Sequence, residues 1–315
     1  MSYHARIETS EYASFLTTRS RNSELWLINN TPLEEAILGY AALCKGRYGV
    51  ALYGLAIEGN HIQGPATFAK ENRASFMRDF NSSVARAIPR YTPEYPGGSF
   101  WARRYSAEFL PAGEDIEEYF FYTALQPIQD GLVEKLSEYP GYHFFHDAIW
   151  GIERTYKVVK WKEYRAAQRR KKFVPIKDFI IEVKLRYDRV PGYEELTQKE
   201  YALMMAKKLE ERRVEIVNRR KAQGLGFLGA ERMKQIPRGA RALNSKRSTI
   251  ETHRPRVLSV SNERRAAVRA WYFEKYFAYK EASKRYRAGD YTVEFPAGMY
   301  KPMIPHRGPP VEKGP

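Results

Sequence analysis

Cysteine is almost absent from this chain, since Cys44 is the only one among 315 residues. A single thiol excludes an intramolecular disulfide and a cysteine-based zinc site. Long apolar runs are absent too, because the longest mostly apolar stretch, residues 48–57, is too short to span a bilayer. The first residues show no charged segment followed by an apolar one, so no secretory signal is indicated. We therefore expect a soluble cytoplasmic protein without a membrane partner.

The motifs of nucleotide-binding enzymes are also missing. No P-loop Gly-Lys-Ser/Thr occurs anywhere in the sequence. Gly224, Gly226 and Gly229 have the spacing of a dinucleotide fingerprint, but they follow a predicted helix, whereas that fingerprint follows a strand. We therefore predict no nucleotide cofactor and no small-molecule substrate.

Basic residues are scarce in the first half of the chain and concentrated in the second. Residues 1–150 hold 13 basic and 18 acidic side chains, a net charge of −5. The whole chain carries +16, so residues 151–315 carry +21. A field of this size attracts polyanions, because neutralised phosphates release counterions. The chain length and this shift predict two domains, 1–150 and 151–315, and nucleic acid as the partner of the second.

Apolar periodicity in the first domain predicts the element order βαββαβα. This order is typical of an α+β, ferredoxin-like fold with an antiparallel sheet on one side and helices on the other. The predicted elements are a bent strand or hairpin at 12–29, a helix from the capping residue Thr31 to about Lys45, strands at 47–58 and 61–66, a helix at 70–88 ended by Pro89, a strand at 99–110 and a helix at 116–125 ended by Pro127.

The second domain reads as a basic, mainly helical extension. Thr197 and Glu200 form a capping box that opens a long helix. Asn262 is a candidate cap for a last helix, which stops at Gly289. A basic run lies at 168–172, and the stretch from Pro296 is rich in proline and predicted to be extended.

Two short segments place candidate chemistry on one strand and one helix. His61 and Gln63 are two apart, so in a strand they point to the same face. Tyr122 and Gln126 are four apart, so in a helix they are neighbours. One imidazole and two amide oxygens suit a hard or borderline divalent ion, and a phenol beside such an ion is a candidate nucleophile toward phosphate. From the residues alone, a core aromatic is the favoured interpretation of Tyr122, and a hydrogen-bonded histidine is that of His61 taken by itself.

These same segments resemble the HUH superfamily of single-strand DNA endonucleases, and most closely its REP-associated tyrosine transposases. Asn60-His61-Ile62 matches the start of the Asn-His-hydrophobic-His metal motif, and Gln63 replaces its second histidine. Tyr122 to Pro127, followed by Gly131-Leu132-Val133, matches the segment that carries the family's tyrosine. The resemblance implies that Tyr122 is the nucleophile and that His61, Gln63 and Gln126 bind the metal. It covers about residues 10–150 well and the remainder weakly.

The resemblance further implies what the protein acts on. Members of this family cut and rejoin single-stranded DNA that carries a hairpin, with Mg²⁺ or Mn²⁺ and through a 5′-phosphotyrosine. We expect the same reaction here, in a nucleoid-associated monomer or homodimer. The candidate DNA-binding residues are Arg103, Arg104, Arg169, Arg170, Lys171 and Lys172. Because Arg103 and Arg104 are adjacent on a predicted strand, we expect at most one of them on the site face.

Three alternatives stay open at this point. The replacement at Gln63 favours a non-catalytic DNA-binding or regulatory protein derived from such a transposase. A replication or conjugation nickase of the same superfamily is a second, although no helicase P-loop accompanies it. An RNA-binding protein on a ferredoxin-like sheet is a third, which needs exposed aromatics on central strands. We assign His143 and His146 structural roles and expect the Glu118 carboxylate to be solvated.

Overall fold

The computed structural model describes residues 6–170, 173–241 and 255–303. Its first part has the predicted order βαββαβα, with the second strand broken into two pieces. The elements are β1 Ala13–Arg19, α1 Thr31–Tyr48, β2 Ala51–Leu52, β3 Ala56–Glu58, β4 His61–Thr67, α2 Arg73–Tyr91, β5 Ser106–Leu110 and α3 Gly113–Gln129. Lys171 and Lys172 lie outside the described residues.

The sheet of the first part is antiparallel throughout. β4 lies between the broken strand β2/β3 and β1, and β1 lies between β4 and β5. This strand order is that of a ferredoxin-like α+β fold, so the predicted fold class is confirmed.

The helices lie on both faces of this sheet, which differs from the predicted two-layer arrangement. Ser14 of β1 accepts a hydrogen bond from Arg73 of α2 at 2.9 Å. Phe15, the next residue, packs its ring against Tyr122 of α3, with 5.8 Å between the ring centroids. Since neighbouring side chains of a strand point to opposite faces, α2 and α3 cover different faces. Sequence periodicity identifies the buried stripe of a helix but not the sheet face that the stripe covers.

Several predicted boundaries are wrong by a few residues for local reasons. The side chain of Asn30 accepts a hydrogen bond from the Leu33 amide, so Asn30 caps α1 in place of Thr31. Pro89 and Pro127 lie inside the last turns of α2 and α3 and do not end them. Each proline removes only the hydrogen bond of its own missing N–H, and residues after it still donate to the helix, as Thr92 does to Ile88 and Asp130 to Gln126.

The largest correction concerns the predicted strand 99–110, which is regular only over β5. Thr17 pairs with Ser106, and Ser20 pairs with Trp101. Between these two pairs, β1 has two residues, whereas the facing segment 102–105 has four. The extra residues bulge out of the ladder. Arg103 and Arg104 lie exposed in this bulge, so strand alternation does not separate them.

The second part of the chain adds one hairpin and several helices. Its elements are α4 Phe145–Trp150, β6 Arg154–Val159, α5 Trp161–Arg170, β7 Ile180–Leu185, α6 Gln198–Ala222, α7 Ala230–Lys234 and α8 Asn262–Arg287. The Thr197–Glu200 capping box of α6 is confirmed, and Ser261 caps α8 one residue before the predicted Asn262. Within the described ranges, no helix combines the length and the apolar character that crossing a bilayer requires.

The second part packs closely on the first. β6 and β7 contact α1, and α6 contacts α3 and α4. Val158, Leu185 and Met205 join the same hydrophobic cluster as the sheet. A smaller cluster forms where α8 meets the edge strand β5, around Phe109 and Tyr272. The predicted boundary near residue 150 stays a prediction.

Candidate functional site

The strand register places the predicted site residues on one face of the sheet. His61 lies opposite Arg19 on one side and Glu58 on the other, while Gln63 lies opposite Thr17. Side chains at directly opposed positions share a face, and so do those two apart on one strand. We call this surface, covered by α3, the site face.

Helix α3 brings Tyr122 and Gln126 to the site face. Gln126 hydrogen-bonds to both His61 and Gln63, so the strand and the helix meet at these three side chains. Tyr122 lies one helical turn before Gln126, and its ring contacts that of Phe15 on the same face. The structure thus brings His61, Gln63 and Gln126 into contact and places Tyr122 one helical turn from Gln126.

His61, Gln63 and Gln126 form a continuous hydrogen-bond network. The Gln126 Nε2 lies 3.2 Å from His61 Nε2 and 3.3 Å from Asp130 Oδ2. The Gln63 Nε2 donates to the Gln126 Oε1. At the other side of the ring, His61 Nδ1 lies 2.8 Å from Asn60 Oδ1. Since an amide oxygen only accepts, the imidazole proton is on Nδ1, and the Nε2 lone pair points toward Gln126.

The imidazole of His61 is neutral at physiological pH. Burial, followed by the positive charge of Arg19, lowers its pKa to about 4. The hydrogen bond to Gln126 acts in the opposite direction. A neutral imidazole with an unprotonated Nε2 is the form that binds metal ions.

Tyr122 is distinguished from its aromatic neighbours by its exposure. Phe120 and Phe121 are fully buried at 0%, whereas Tyr122 is 37% exposed. Partial burial raises the pKa of the phenol, and the negative charges of Asp130 and Glu108 raise it further. The phenol is therefore reachable from solvent and stays protonated at neutral pH.

Three acidic residues near the site were missed by the sequence reasoning. Glu58 is a cross-strand neighbour of His61, and burial followed by the charge of Asp130 raises its pKa to about 8. Asp130 lies four residues after Gln126, a spacing that places it on the same helical side. Glu108 lies opposite Phe15 on β5, and burial raises its pKa. The turn at Gly59-Asn60 and the i, i+4 spacing were the signals for Glu58 and Asp130.

The donor types at the site fit a hard divalent ion held weakly. His61 offers one nitrogen, and Gln63 and Gln126 offer neutral amide oxygens once their amides turn. In the present arrangement an amide N–H occupies the imidazole lone pair. Within the described ranges, no three His, Cys, Asp or Glu side chains are grouped to hold a metal ion.

The remaining candidates from the sequence lie elsewhere or in other roles. Arg169 and Arg170 are exposed at the end of α5. His143 is buried with its Nε2 2.8 Å from the Ala124 carbonyl, a structural contact, while His146 is largely exposed. Glu118 is not simply solvated, because Arg212 of α6 pairs with it at 2.6 Å.

Basic residues of the second part neutralise acidic residues around α3. The pairs are Lys208–Glu117, Arg212–Glu118, Lys221–Glu134, Arg256–Glu108 and Arg264 with both Glu114 and Asp115. Part of the +21 charge therefore holds the second part against the helix that carries Tyr122. Within the described ranges, the basic side chains of α8 without an ion pair include Arg269, Lys275, Lys280 and Lys284.

The chain was compared with family models, curated proteins and solved structures. No family model matches the chain, and no curated protein matches it. Among solved structures, a REP-associated tyrosine transposase bound to a REP hairpin is similar at 19% identity, with a TM-score of 0.40, over 48% of this chain and 88% of that one. The fold assignment rests on the strand order and register described above.

Proposed function

We propose that the protein is a single-strand DNA endonuclease and strand transferase with Tyr122 as its nucleophile. The observation that carries the proposal is the position of this phenol. It is partly exposed on the same helical face as Gln126, whose side chain hydrogen-bonds to His61 and Gln63. An accessible phenol beside a neutral imidazole and two amides is a suitable arrangement for attack on a phosphodiester.

The reaction forms one bond and breaks one. The Tyr122 oxygen attacks phosphorus in line, the P–O3′ bond breaks, and the 5′ phosphate stays on the tyrosine. The phenol loses its proton, and the departing 3′ oxygen gains one. Attack by a strand hydroxyl on the phosphotyrosine reverses the step and joins strands without an external energy source. A divalent ion held by His61, Gln63 and Gln126 supplies Lewis-acid polarisation of a nonbridging oxygen when bound.

The raised pKa of Tyr122 affects this reaction directly. Because burial and nearby carboxylates keep the phenol protonated at neutral pH, ionisation requires compensating positive charge at the site. Both a bound cation and nearby arginines lower the cost of the phenolate. We therefore expect Tyr122 to react only when such positive charge is present beside it.

The exposed side of α8 supports single-stranded nucleic acid as the substrate. Phe273 and Phe277 stack with centroids 6.0 Å apart, and Phe277 is 59% exposed. Lys275 lies over the ring of Trp271 on the same helix. Exposed rings between basic side chains bind unpaired bases and backbone together, at ~1–3 kcal/mol per stacked base.

One observation favours a second candidate function, a non-catalytic DNA-binding protein. The hydrogen bonds among His61, Gln63 and Gln126 satisfy all three side chains without an ion. Replacement of a histidine by Gln63 is what allows this closed network. A protein that lost cleavage in this way would keep the basic and aromatic surface.

A covalent-adduct assay separates the two functions. The protein is incubated with single-stranded hairpin oligonucleotides and Mn²⁺, and the adduct is detected by its shift on a denaturing gel. We expect an adduct that Tyr122→Phe abolishes and that Tyr119→Phe keeps. Tyr119 is a matched control, since its ring packs on the same Phe15 one turn earlier in α3. An adduct with Tyr122→Phe would contradict the assignment, and DNA binding without any adduct would favour the second candidate.

A further inference from the structure

Arg19 lies at the centre of the site face, and the sequence patterns did not single it out. It is the last residue of β1 and lies directly opposite His61. Its backbone is fixed on both sides, because Ala102 donates to the Arg19 carbonyl at 2.9 Å and Ser20 donates to Asn60 at 2.8 Å. The bulge at 102–105 begins beside it, so the edge of the sheet is open at this point.

The guanidinium of Arg19 is unpaired. Among the residues that the structure describes, it makes no hydrogen bond or ion pair, and its Nε is enclosed without a partner. Arg73, on the opposite face, also has an enclosed Nε without a partner, but its terminal nitrogens bond to Ser14 and Ile7 and pair with Glu8. Arg19 has no such contacts among the described residues. An enclosed donor without an acceptor costs free energy, and in native structures it commonly marks the place of a ligand.

The strand register places no acidic residue directly opposite Arg19. Its partner across the strands is His61. Glu58 is the acidic residue nearest to Arg19 in the strand register. It lies on β3, across β4 from Arg19, so His61 stands between the two. An anion between Arg19 and His61 would accept hydrogen bonds from the guanidinium and compensate its positive charge. Arg256, whose charge acts on Tyr122, is already paired with Glu108 at 2.9 Å.

We propose that Arg19 binds a backbone phosphate of single-stranded DNA and so places the strand beside Tyr122. The proposal rests on the proposed function for the identity of the ligand. The planar fork of the guanidinium matches two oxygens of a phosphodiester, which an ammonium group does not. Arg19 is then the residue that selects the phosphate to be attacked.

The experiment measures binding, not cleavage, so that its result does not depend on catalysis. Every protein carries Tyr122→Phe, and the affinity for a fluorescent single-stranded hairpin oligonucleotide is measured by anisotropy over a range of salt, without divalent ions. We expect Arg19→Gln to weaken binding by ~10-fold and to lower the salt slope by ~0.7, the value for one lost phosphate contact on a single strand. Arg86→Gln, which removes an exposed charge from α2 on the opposite face, should change neither.

Two further measurements separate ligand binding from a structural role. Arg19→Lys should keep the salt slope but lose several-fold in affinity, because the charge remains and the fork does not. Arg19→Gln should raise the melting temperature, since it removes an unpaired enclosed group, whereas loss of a structural contact would lower it. A slope and affinity for Arg19→Gln equal to those of Arg86→Gln would overturn the proposal, and so would the absence of DNA binding by the Tyr122→Phe parent. Absence of the covalent adduct alone would overturn the endonuclease assignment and leave this result standing.

Discussion

Strand β4 has two faces that are both buried at the centre of the strand but held in different ways. Ile62 and Ala66 point toward α1 and α2 and are 2% and 0% exposed. Gln63 points toward α3 and is 4% exposed. The first face is stabilised by apolar packing, whereas the second depends on hydrogen bonds between side chains of two separate segments, β4 and α3. Burial by itself therefore does not distinguish the core of this sheet from its candidate site.

The difference has a physical consequence for what each face can do. Apolar packing contains no group that titrates or binds an ion, and a cavity in it lowers stability. The polar face contains the Glu58 carboxyl with a raised pKa, the neutral imidazole of His61 and the unpaired guanidinium of Arg19. A ligand of suitable charge would stabilise each of these groups. Groups of this kind cluster where proteins bind or react.

The largest expected effect tests the apolar face. Ile62→Ala should lower the free energy of unfolding by about 2–5 kcal/mol, because it removes buried methyl groups and leaves a cavity between the sheet and α2. Urea unfolding followed by circular dichroism measures the change. Gln63→Ala on the other face is the comparison, and it should cost about 1 kcal/mol, the value of a lost hydrogen bond. Equal costs would mean that the polar face is ordinary core.

A second effect, with a defined pH dependence, is expected at Glu58. Its carboxyl is buried and has a pKa of about 8, mainly because of burial and then because of Asp130. The unfolded state ionises near the ordinary value of 4.5, so the folded state holds the extra proton between these two pH values. Stability is then fully present below pH 4.5 and is lost as the pH rises to about 8.

Glu58→Gln should remove this loss, since the amide stays neutral. We expect the variant to be more stable than the parent by ~4 kcal/mol at pH 9 and to be close to it at pH 5. Thermal unfolding at both pH values checks the sign. A variant that is less stable at pH 9 would show that the ionised carboxylate has a favourable partner.

Much of this fold follows from sequence patterns that are local. Alternation places His61 and Gln63 on one side of a strand, and the i, i+4 spacing places Tyr122 beside Gln126. The element order of the first part and the Thr197 capping box follow in the same way. Each of these depends on residues close together in the chain, so short-range physics is enough to predict it.

What the sequence did not reveal depends on distant residues. The bulge at 102–105 is defined only by its pairing with β1, which lies more than eighty residues away in the chain. The unpaired state of Arg19 is visible only when the neighbours of its guanidinium are known. Likewise, the +21 tail predicted polyanion binding, whereas part of that charge pairs with acids of the first part, such as Glu117 and Glu118. A charge total does not specify partners.

The smallest of the three effects changes the polar face itself. Gln63→His replaces an amide that donates to Gln126 by a second imidazole beside His61. The closed hydrogen-bond network then opens, and two nitrogens become available to one ion in place of one. We expect the affinity for Mn²⁺ to increase by ~10-fold, equivalent to about 1.4 kcal/mol, in isothermal titration calorimetry.

The double variant His61→Ala, Gln63→His is the control for that gain. If the ion is held between the two positions, removal of the His61 imidazole should return the affinity to that of the parent or below. Thr17 lies opposite Gln63 on the same face, so Thr17→His adds an equivalent imidazole without disturbing Gln126. A gain from Thr17→His as large as that from Gln63→His would mean that the amide network does not limit binding. No gain from Gln63→His would remove Gln63 from the site and leave the polar face as a neutral network that contacts DNA without an ion.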